Sequence, residues 1–196
     1  MHDTVVKPVD NSGPTQTWRP DVSDYEVFYI GMHPAEGVGK ALYAKHFIPK
    51  GSYILTFCGP LVNDDEATKR DMANFGRIMG NELQIGDDFY VYLQEPGRLI
   101  NHSCEPNAGI VNDTILVAAK DIHKDEEISF DYSTTMDEGE IWQMECLCGA
   151  EKCRGFAADF KTLPRESRKK YLQCGMVQNF IQKQFDKETG ELLGKN

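Results

Sequence analysis

Three of the six cysteines lie within eight residues of one another, at Cys146, Cys148 and Cys153. Thiolates are good ligands for zinc, and a structural zinc site takes four ligands in tetrahedral geometry, so a fourth ligand must come from elsewhere. By composition Cys104 is the best candidate. The alternatives are one of the five histidines or Cys174. This spacing predicts a metal site rather than a group of free thiols.

The two remaining cysteines lie far from this group in the sequence. Cys58 and Cys174 stand alone in apolar surroundings, so the sequence predicts ordinary buried residues for both. Residues 1–19 lack the basic start and apolar centre of a signal peptide, and we expect a cytosol-like compartment. In that compartment cysteines serve as ligands or free thiols more often than as disulfides.

The segment 98–107 (Arg-Leu-Ile-Asn-His-Ser-Cys-Glu-Pro-Asn) concentrates polar side chains between two runs of β-forming residues. None of the single features near it is specific. His102 alone could be a core histidine whose ring bonds a backbone carbonyl, and Tyr132 alone could be a packing aromatic at a strand end. The Gly-Val-Gly at 37–39 lacks the third glycine and the strand–helix context of a dinucleotide-binding loop.

The elements that must position these residues are mostly short strands. β-forming runs predict strands at 25–30, 41–47, 52–57, 82–85, 89–93, 109–111, 114–119 and 127–130. Asn63 and the acids after it predict a helix from about residue 64 to 72. No βαβ alternation appears, which excludes a doubly wound sheet. Apolar residues at helical spacing over 163–185 predict a C-terminal helix, with a kink or break possible at Gly175.

Composition narrows the classes of partner. With 196 residues, 40% of them hydrophobic and 27% charged, the chain has the composition of one globular domain with appendages. Its net charge of −10 argues against non-specific nucleic-acid binding and suits a basic peptide partner, although acidity that merely maintains solubility explains it equally well. No apolar run reaches the roughly 18 residues of a membrane span.

Taken together, four motifs resemble the SET-domain protein lysine methyltransferases that carry a post-SET zinc motif. The motifs are Gly37-x-Gly39, the segment 98–107, Asp125-Glu-Glu-Ile-Ser-Phe130-Asp131-Tyr132, and Cys146-x-Cys148-x4-Cys153-Arg154-Gly155. The resemblance covers about residues 25–160. It implies a mainly β fold of small curved sheets, in which a segment is threaded like a pseudoknot, with a post-SET zinc motif and a C-terminal helix after it.

The resemblance also implies a role for each matching residue. S-adenosylmethionine would be the cofactor and Zn²⁺ the structural metal. The residues it assigns to the cofactor are Gly37, Val38, Gly39, Arg98, Asn101, His102, Leu147 and Phe156, and those it assigns to zinc are Cys104, Cys146, Cys148 and Cys153. Tyr132 would be the catalytic tyrosine, while Phe57 and Phe130 would line the substrate channel.

Two channel residues refine the expected activity. Phe130 occupies a position where the family has Phe or Tyr, and Phe leaves room for a bulkier amine, which predicts di- or trimethylation. Phe57 departs from the tyrosine common in the family, so one active-site hydroxyl is missing. That departure favours the alternative hypothesis, a catalytically weak SET module that acts as a protein-binding domain.

We therefore divide the chain into a flexible leader (1–24), a SET domain (25–133), a post-SET zinc segment (134–160) and a C-terminal helical segment (161–196). The expected partner is a basic protein or peptide, with a histone tail the leading candidate. Direct nucleic-acid binding and membrane binding are not expected. The chain could be a monomer or a homodimer. A eukaryotic host would imply the nucleus, with the cytoplasm and secretion as an effector as alternatives.

Overall fold

Short strands dominate the chain in the computed structural model, which describes residues 26–75, 80–86, 89–137 and 143–193. The strands are β1 (Phe28–Met32), β2 (Lys40–Ala44), β3 (Tyr53–Thr56), β4 (Leu61–Val62), β5 (Glu82–Gly86), β6 (Phe89–Tyr92), β7 (Asn101–His102), β8 (Ala108–Val111), β9 (Ile115–Ala118), β10 (Ser129–Phe130), β11 (Met144–Glu145) and β12 (Phe156–Ala157). The α-helices are α1 (Asp64–Phe75), α2 (Arg165–Cys174) and α3 (Asn179–Gln182).

The described strands form five small sheets. Four are antiparallel, with the orders β1-β2, β3-β9-β8, β4-β6-β5 and β11-β12. The fifth is the parallel pair β7–β10, in which Asn101 lies opposite Ser129 and His102 opposite Phe130. The β8–β9 hairpin separates these two strands in the sequence, so their pairing brings two distant motifs side by side. The predicted mainly β class of small sheets is confirmed.

One hydrophobic core holds the sheets together. β9 alternates half-buried and buried residues, as expected for a strand with one buried face, whereas β2, β3 and β8 each bury consecutive residues. The fully buried members of this core include Phe28, Leu42, Ile48, Ile54, Ile100, Ile110, Leu116, Ile122 and Ile128. Phe57 and Phe130 belong to the same cluster, so the predicted channel residues are anchored in the main core.

Helix α1 begins as the sequence predicts. The side-chain oxygen of Asn63 accepts a hydrogen bond from the backbone N–H of Glu66 at 2.9 Å, which satisfies one unpaired donor of the first turn. Asp64, Asp65 and Glu66 supply the negative charge that this end of a helix favours. The helix runs three residues further than predicted, to Phe75.

The C-terminal segment with apolar residues at helical spacing, 163–185, forms two helices rather than the single predicted helix. Gly175 ends α2 in the left-handed conformation at φ 66°, where its missing Cβ removes the steric penalty, and α3 starts only at Asn179. Both helices pack on a second apolar cluster, the C-terminal core, whose buried members are Phe160, Leu163, Leu172, Val177, Ile181 and Phe185. The break allowed for at Gly175 is confirmed.

Several predicted strands differ in length from the observed ones, and some observed strands have no counterpart among the predictions. The strands predicted at 41–47 and 52–57 are shorter in the structure, and β4, β7, β11 and β12 were not predicted because two-residue strands leave no pattern in a sequence. The predicted leader and the hairpin turn at Asp87 and Asp88 lie outside the described residues. No helix within the described ranges has the length and apolar character needed to cross a membrane.

Candidate active site and thiol cluster

Four thiols converge at one point of the structure. The sulfur atoms of Cys104, Cys146, Cys148 and Cys153 all lie within 4.8 Å of one another, although Cys104 comes from the loop after β7. The Cys104–Cys146 and Cys146–Cys153 sulfur distances are both 3.7 Å. Four Zn–S bonds of about 2.3 Å in a tetrahedron place the sulfurs about 3.8 Å apart, so the cluster fits a zinc ion.

The backbone around the cluster suits anionic sulfur. Cys104 donates its N–H to the Cys148 sulfur at 3.5 Å, and Arg154 donates its N–H to the Cys104 sulfur at 3.4 Å. Burial opposes ionisation of Cys148, yet the backbone N–H groups of Cys104 and Ala150 and the thiols of Cys146 and Cys153 lower the pKa of Cys148 to about 7. One thiolate is thus available near neutral pH to bind a metal.

The two cysteines outside the cluster are not buried, which corrects the expectation for both. Cys174 is exposed at the last position of α2, and Cys58 is half-buried in the loop after β3. Phe57, next to Cys58, and Leu172, near Cys174, are buried, but their burial does not extend to the two thiols. Cys174 also lies outside the thiol cluster, so Cys104 is the fourth thiol.

His102 joins the thiol cluster to Tyr132. The Nδ1 atom of its ring accepts the backbone N–H of Tyr132 at 3.1 Å, and its Nε2 atom lies 3.4 Å from the Cys104 sulfur. Burial lowers the pKa of His102 to about 4 despite the opposing charge of Asp131, so the ring is neutral at pH 7. Since Nδ1 accepts, the proton resides on Nε2 and points at the sulfur. An outer partner of this kind orients a metal ligand.

Three aromatic rings meet beside this histidine. The Phe130 ring lies 5.6 Å from Phe57 and 4.9 Å from Tyr132, measured between centroids, and the His102 ring lies 5.3 Å from Tyr132. The Tyr132 hydroxyl donates to the backbone carbonyl of Ile100 at 2.7 Å, which fixes its direction. Burial, with a contribution from the charge of Glu127, raises the pKa of Tyr132, so its hydroxyl stays protonated.

A second polar group surrounds Asn101. Its side-chain amide donates to Glu127 at 2.8 Å, which leaves the amide oxygen free to accept from a ligand. His33, at the entrance to the 37–39 loop, contacts the other oxygen of Glu127 at 3.1 Å. Gly37 and Gly39 in this loop have φ of 86° and 87°, and open space surrounds the position of a Cβ on either residue.

The other predicted cofactor residues lie in three places. Val38 is exposed in the same glycine loop. Arg98 lies in the 3₁₀ turn before β7 and forms an ion pair with Glu95. Leu147, between Cys146 and Cys148, and Phe156, just after the thiol cluster, are 80% and 45% exposed. Their predicted contact with an adenine ring remains a prediction.

Sequence reasoning gave no role to four charged or polar residues that organise this region. Asp131 and Arg154 form a buried ion pair with two contacts of 2.8 Å each, and His33 and Glu127 form the pair described above. Asp131 and Arg154 stand inside motifs already singled out, next to Tyr132 and Cys153. Their positions next to residues with predicted roles are the feature of the sequence that could have indicated a role for Asp131 and Arg154.

The family comparison agrees with this geometry. The sequence profile of the SET domain matches residues 39–133. Residues 39–133 of this chain are therefore a SET domain. The profile ends before Cys146, so the zinc assignment rests on the thiol geometry rather than on the profile.

Curated relatives of this chain are histone-lysine N-methyltransferases. The human protein SETMAR is 27% identical over 179 residues, which cover 76% of this chain and 26% of that protein. The H3 lysine-9 specific enzyme dim-5 of Neurospora crassa is 29% identical over 151 residues, covering 56% of this chain and 45% of dim-5. The chain thus spans less than half the length of these two relatives.

A solved structure supports the same fold. The crystal structure of the methyltransferase domain of human SETMAR superimposes with a TM-score of 0.51 at 28% identity, covering 67% of this chain and 58% of that one. The small sheets and the few helices of this chain therefore follow the architecture of a known methyltransferase domain.

Proposed function

We propose that the chain is an S-adenosylmethionine-dependent protein-lysine N-methyltransferase. The observation that carries the proposal is the contact between the β7–β10 pair, which carries Asn101 and His102, and the 3₁₀ turn that begins at Tyr132. Phe57 and Phe130 close the apolar side. A tyrosine hydroxyl with a fixed direction, next to an apolar channel, can align an amine for methyl transfer. The histone-lysine methyltransferase relatives support the same reaction class.

The residues around Asn101 suit a cationic cofactor. S-adenosylmethionine, when bound, would supply a methyl group on a positively charged sulfur. The Asn101 amide oxygen would accept from its ammonium group, and backbone groups of the 37–39 loop would hold its polar end. Glu127, half-buried beside Asn101, adds negative charge on the same side. Leu147 and Phe156, both exposed to solvent, would cover the adenine.

Catalysis would come from positioning rather than from a strong base. A lysine amine has an ordinary pKa near 10.4 and must lose its proton before it attacks. His102 does not serve as the base, because its ring nitrogens are engaged by the Tyr132 N–H and the Cys104 sulfur. The chain would instead hold the amine in line with the methyl group through Tyr132 and exclude water with Phe57 and Phe130.

The four thiols would hold a structural zinc ion. With this ion bound, the segment around Cys146–Cys153 would be fixed against the loop that carries Cys104, next to Asn101 and His102. Zinc would therefore stabilise one wall of the cofactor site rather than take part in methyl transfer.

A basic, histone-like tail is the substrate class that we propose. The net charge of −10 would attract such a peptide, and the name of dim-5 specifies a histone H3 lysine. Phe130 leaves the channel without a second hydroxyl, so we expect di- or trimethylated products. In a eukaryotic host this activity would place the protein in the nucleus.

A catalytically weak SET module that binds proteins is the second candidate. Phe57 favours it, because the hydroxyl that the family usually has at this position is missing. The test of both is transfer of a radiolabelled methyl group from S-adenosylmethionine to core histones by the zinc-loaded protein. Incorporation into lysine supports the enzyme. Cofactor binding without transfer to any histone or basic peptide on an array supports the binding module.

A further inference from the structure

The C-terminal helices contact the turn that carries Tyr132. This 3₁₀ turn spans Tyr132–Thr135, and the backbone N–H of Gln178 donates to the carbonyl of Thr134 at 3.3 Å. At the start of the turn, the Tyr171 hydroxyl of α2 donates to a carboxylate oxygen of Asp131 at 3.1 Å. The segment 160–193 thus reaches both ends of the turn that presents the proposed catalytic tyrosine.

Asp131 receives a donor for each of its lone pairs. Its side chain is fully buried, and the guanidinium of Arg154 occupies both oxygens at 2.8 Å. The backbone N–H of Ser133 adds a third contact at 3.2 Å, and Tyr171 supplies the fourth. A carboxylate accepts about four hydrogen bonds, so loss of the tyrosine hydroxyl would leave one buried acceptor site empty.

Asp131, Arg154 and Tyr171 come from three separate regions of the chain. Asp131 itself follows β10, Arg154 comes directly after the zinc-cluster residue Cys153, and Tyr171 belongs to α2. The backbone N–H of Arg154 also contacts the Cys104 sulfur at 3.4 Å. A shift of the Arg154 guanidinium would therefore be transmitted to the thiol cluster through its own backbone.

We propose that Tyr171 is a positioning residue, which fixes the Asp131–Arg154 pair and through it the Cys146–Arg154 segment that forms one wall of the cofactor site. This inference rests on the proposed function, because it assigns the C-terminal helices to the same site. Burial and the charge of Asp131 raise the pKa of Tyr171, so its hydroxyl remains a donor throughout the working pH range. The C-terminal segment is then part of the active unit rather than an appendage.

The test substitutes Tyr171→Phe in the full, zinc-loaded chain and measures zinc release to a coloured chelator and cofactor affinity by calorimetry. We expect zinc release to become roughly ten-fold faster and the Kd for S-adenosylmethionine to rise by a similar factor, which corresponds to about 1.4 kcal/mol. The kcat at saturating cofactor should change less than two-fold, because Tyr132 keeps its own contacts.

A matched control separates positioning from general destabilisation. Ile181→Val loosens the same C-terminal core without touching Asp131, since Ile181 is buried in α3. Compared at the same interval below their melting temperatures, Tyr171→Phe should release zinc faster than Ile181→Val. Equal release rates and equal Kd values in the two variants would overturn the proposal. If the unmodified protein binds no S-adenosylmethionine, the proposed function fails, whereas the zinc-release comparison still decides the role of Tyr171.

Discussion

Gly97 packs closely behind Phe57, a residue of the proposed lysine channel. It lies in the 3₁₀ turn before β7, and a Cβ added there would come within 2.8 Å of the Phe57 ring. That separation is about 0.6 Å shorter than the 3.4 Å at which ordinary contact begins. Because Phe57 packs on Phe130 at 5.6 Å, Gly97→Ala would press the two rings together.

The expected cost follows from two opposing effects. Overpacking a core costs about 1–3 kcal/mol, while replacing glycine in a conformation that alanine can adopt returns about 0.4–1 kcal/mol through the unfolded state. We expect a net loss of about 1–2 kcal/mol in the free energy of unfolding. For a domain of this size, that corresponds to a fall in Tm of roughly 3–6 °C.

Calorimetric melting and product analysis measure the two consequences. Gly86→Ala is the matched control, because among the described residues its added Cβ would meet the Phe89 ring alone, at an ordinary 3.9 Å. Gly97→Ala should melt below this control, and mass spectrometry of the peptide product should show a smaller trimethylated fraction. If the two variants melt together and give the same products, Gly97 and Phe57 do not limit the channel as described.

Three further predictions address the site. Phe130→Tyr adds a hydroxyl beside Tyr132, so the product should shift toward monomethyl-lysine by mass spectrometry, and unchanged product ratios would refute the role of Phe130. Cys104→Ser removes the sulfur that His102 and Arg154 contact, so calorimetry should show zinc loss and roughly ten-fold weaker binding of S-adenosylmethionine. Unchanged affinity would show that the thiol cluster does not support the cofactor site. The raised pKa of Tyr132 keeps its hydroxyl protonated above the ordinary 10.0, so ionisation of Tyr132 should cause no loss of activity as the pH rises. We expect kcat/KM to increase from pH 7 to 9.5 as the substrate amine deprotonates. A decline within this range that is absent in Tyr132→Phe would contradict the assignment.

Local chemistry made part of this structure predictable. Asn63 caps α1 and Gly175 ends α2, because both effects act over a few residues. Counting ligands predicted that the three clustered cysteines need a fourth ligand, and composition favoured Cys104 over a histidine or Cys174, which the thiol cluster confirms.

The remaining features depend on distant contacts. The Asp131–Tyr171 bond joins residues 40 positions apart, and no periodicity in the sequence encodes it. Cys174 was expected to be buried because its neighbours are apolar, yet its place on the helix turns it outward. The short strand β7 has too few residues for a pattern and exists only because β10 pairs with it.

The most direct test of the central claim is methyl transfer by the zinc-loaded protein and its Tyr132→Phe variant, with S-adenosylmethionine affinity measured on both. We predict methylated lysine on a basic histone-like peptide for the unmodified protein. For the variant we predict a rate at least about 100-fold lower, at the scale of a lost catalytic group, with cofactor Kd changed less than about three-fold. Equal transfer rates for the two proteins would contradict the assignment of Tyr132 as the catalytic residue, and cofactor binding without any transfer would contradict the enzyme itself.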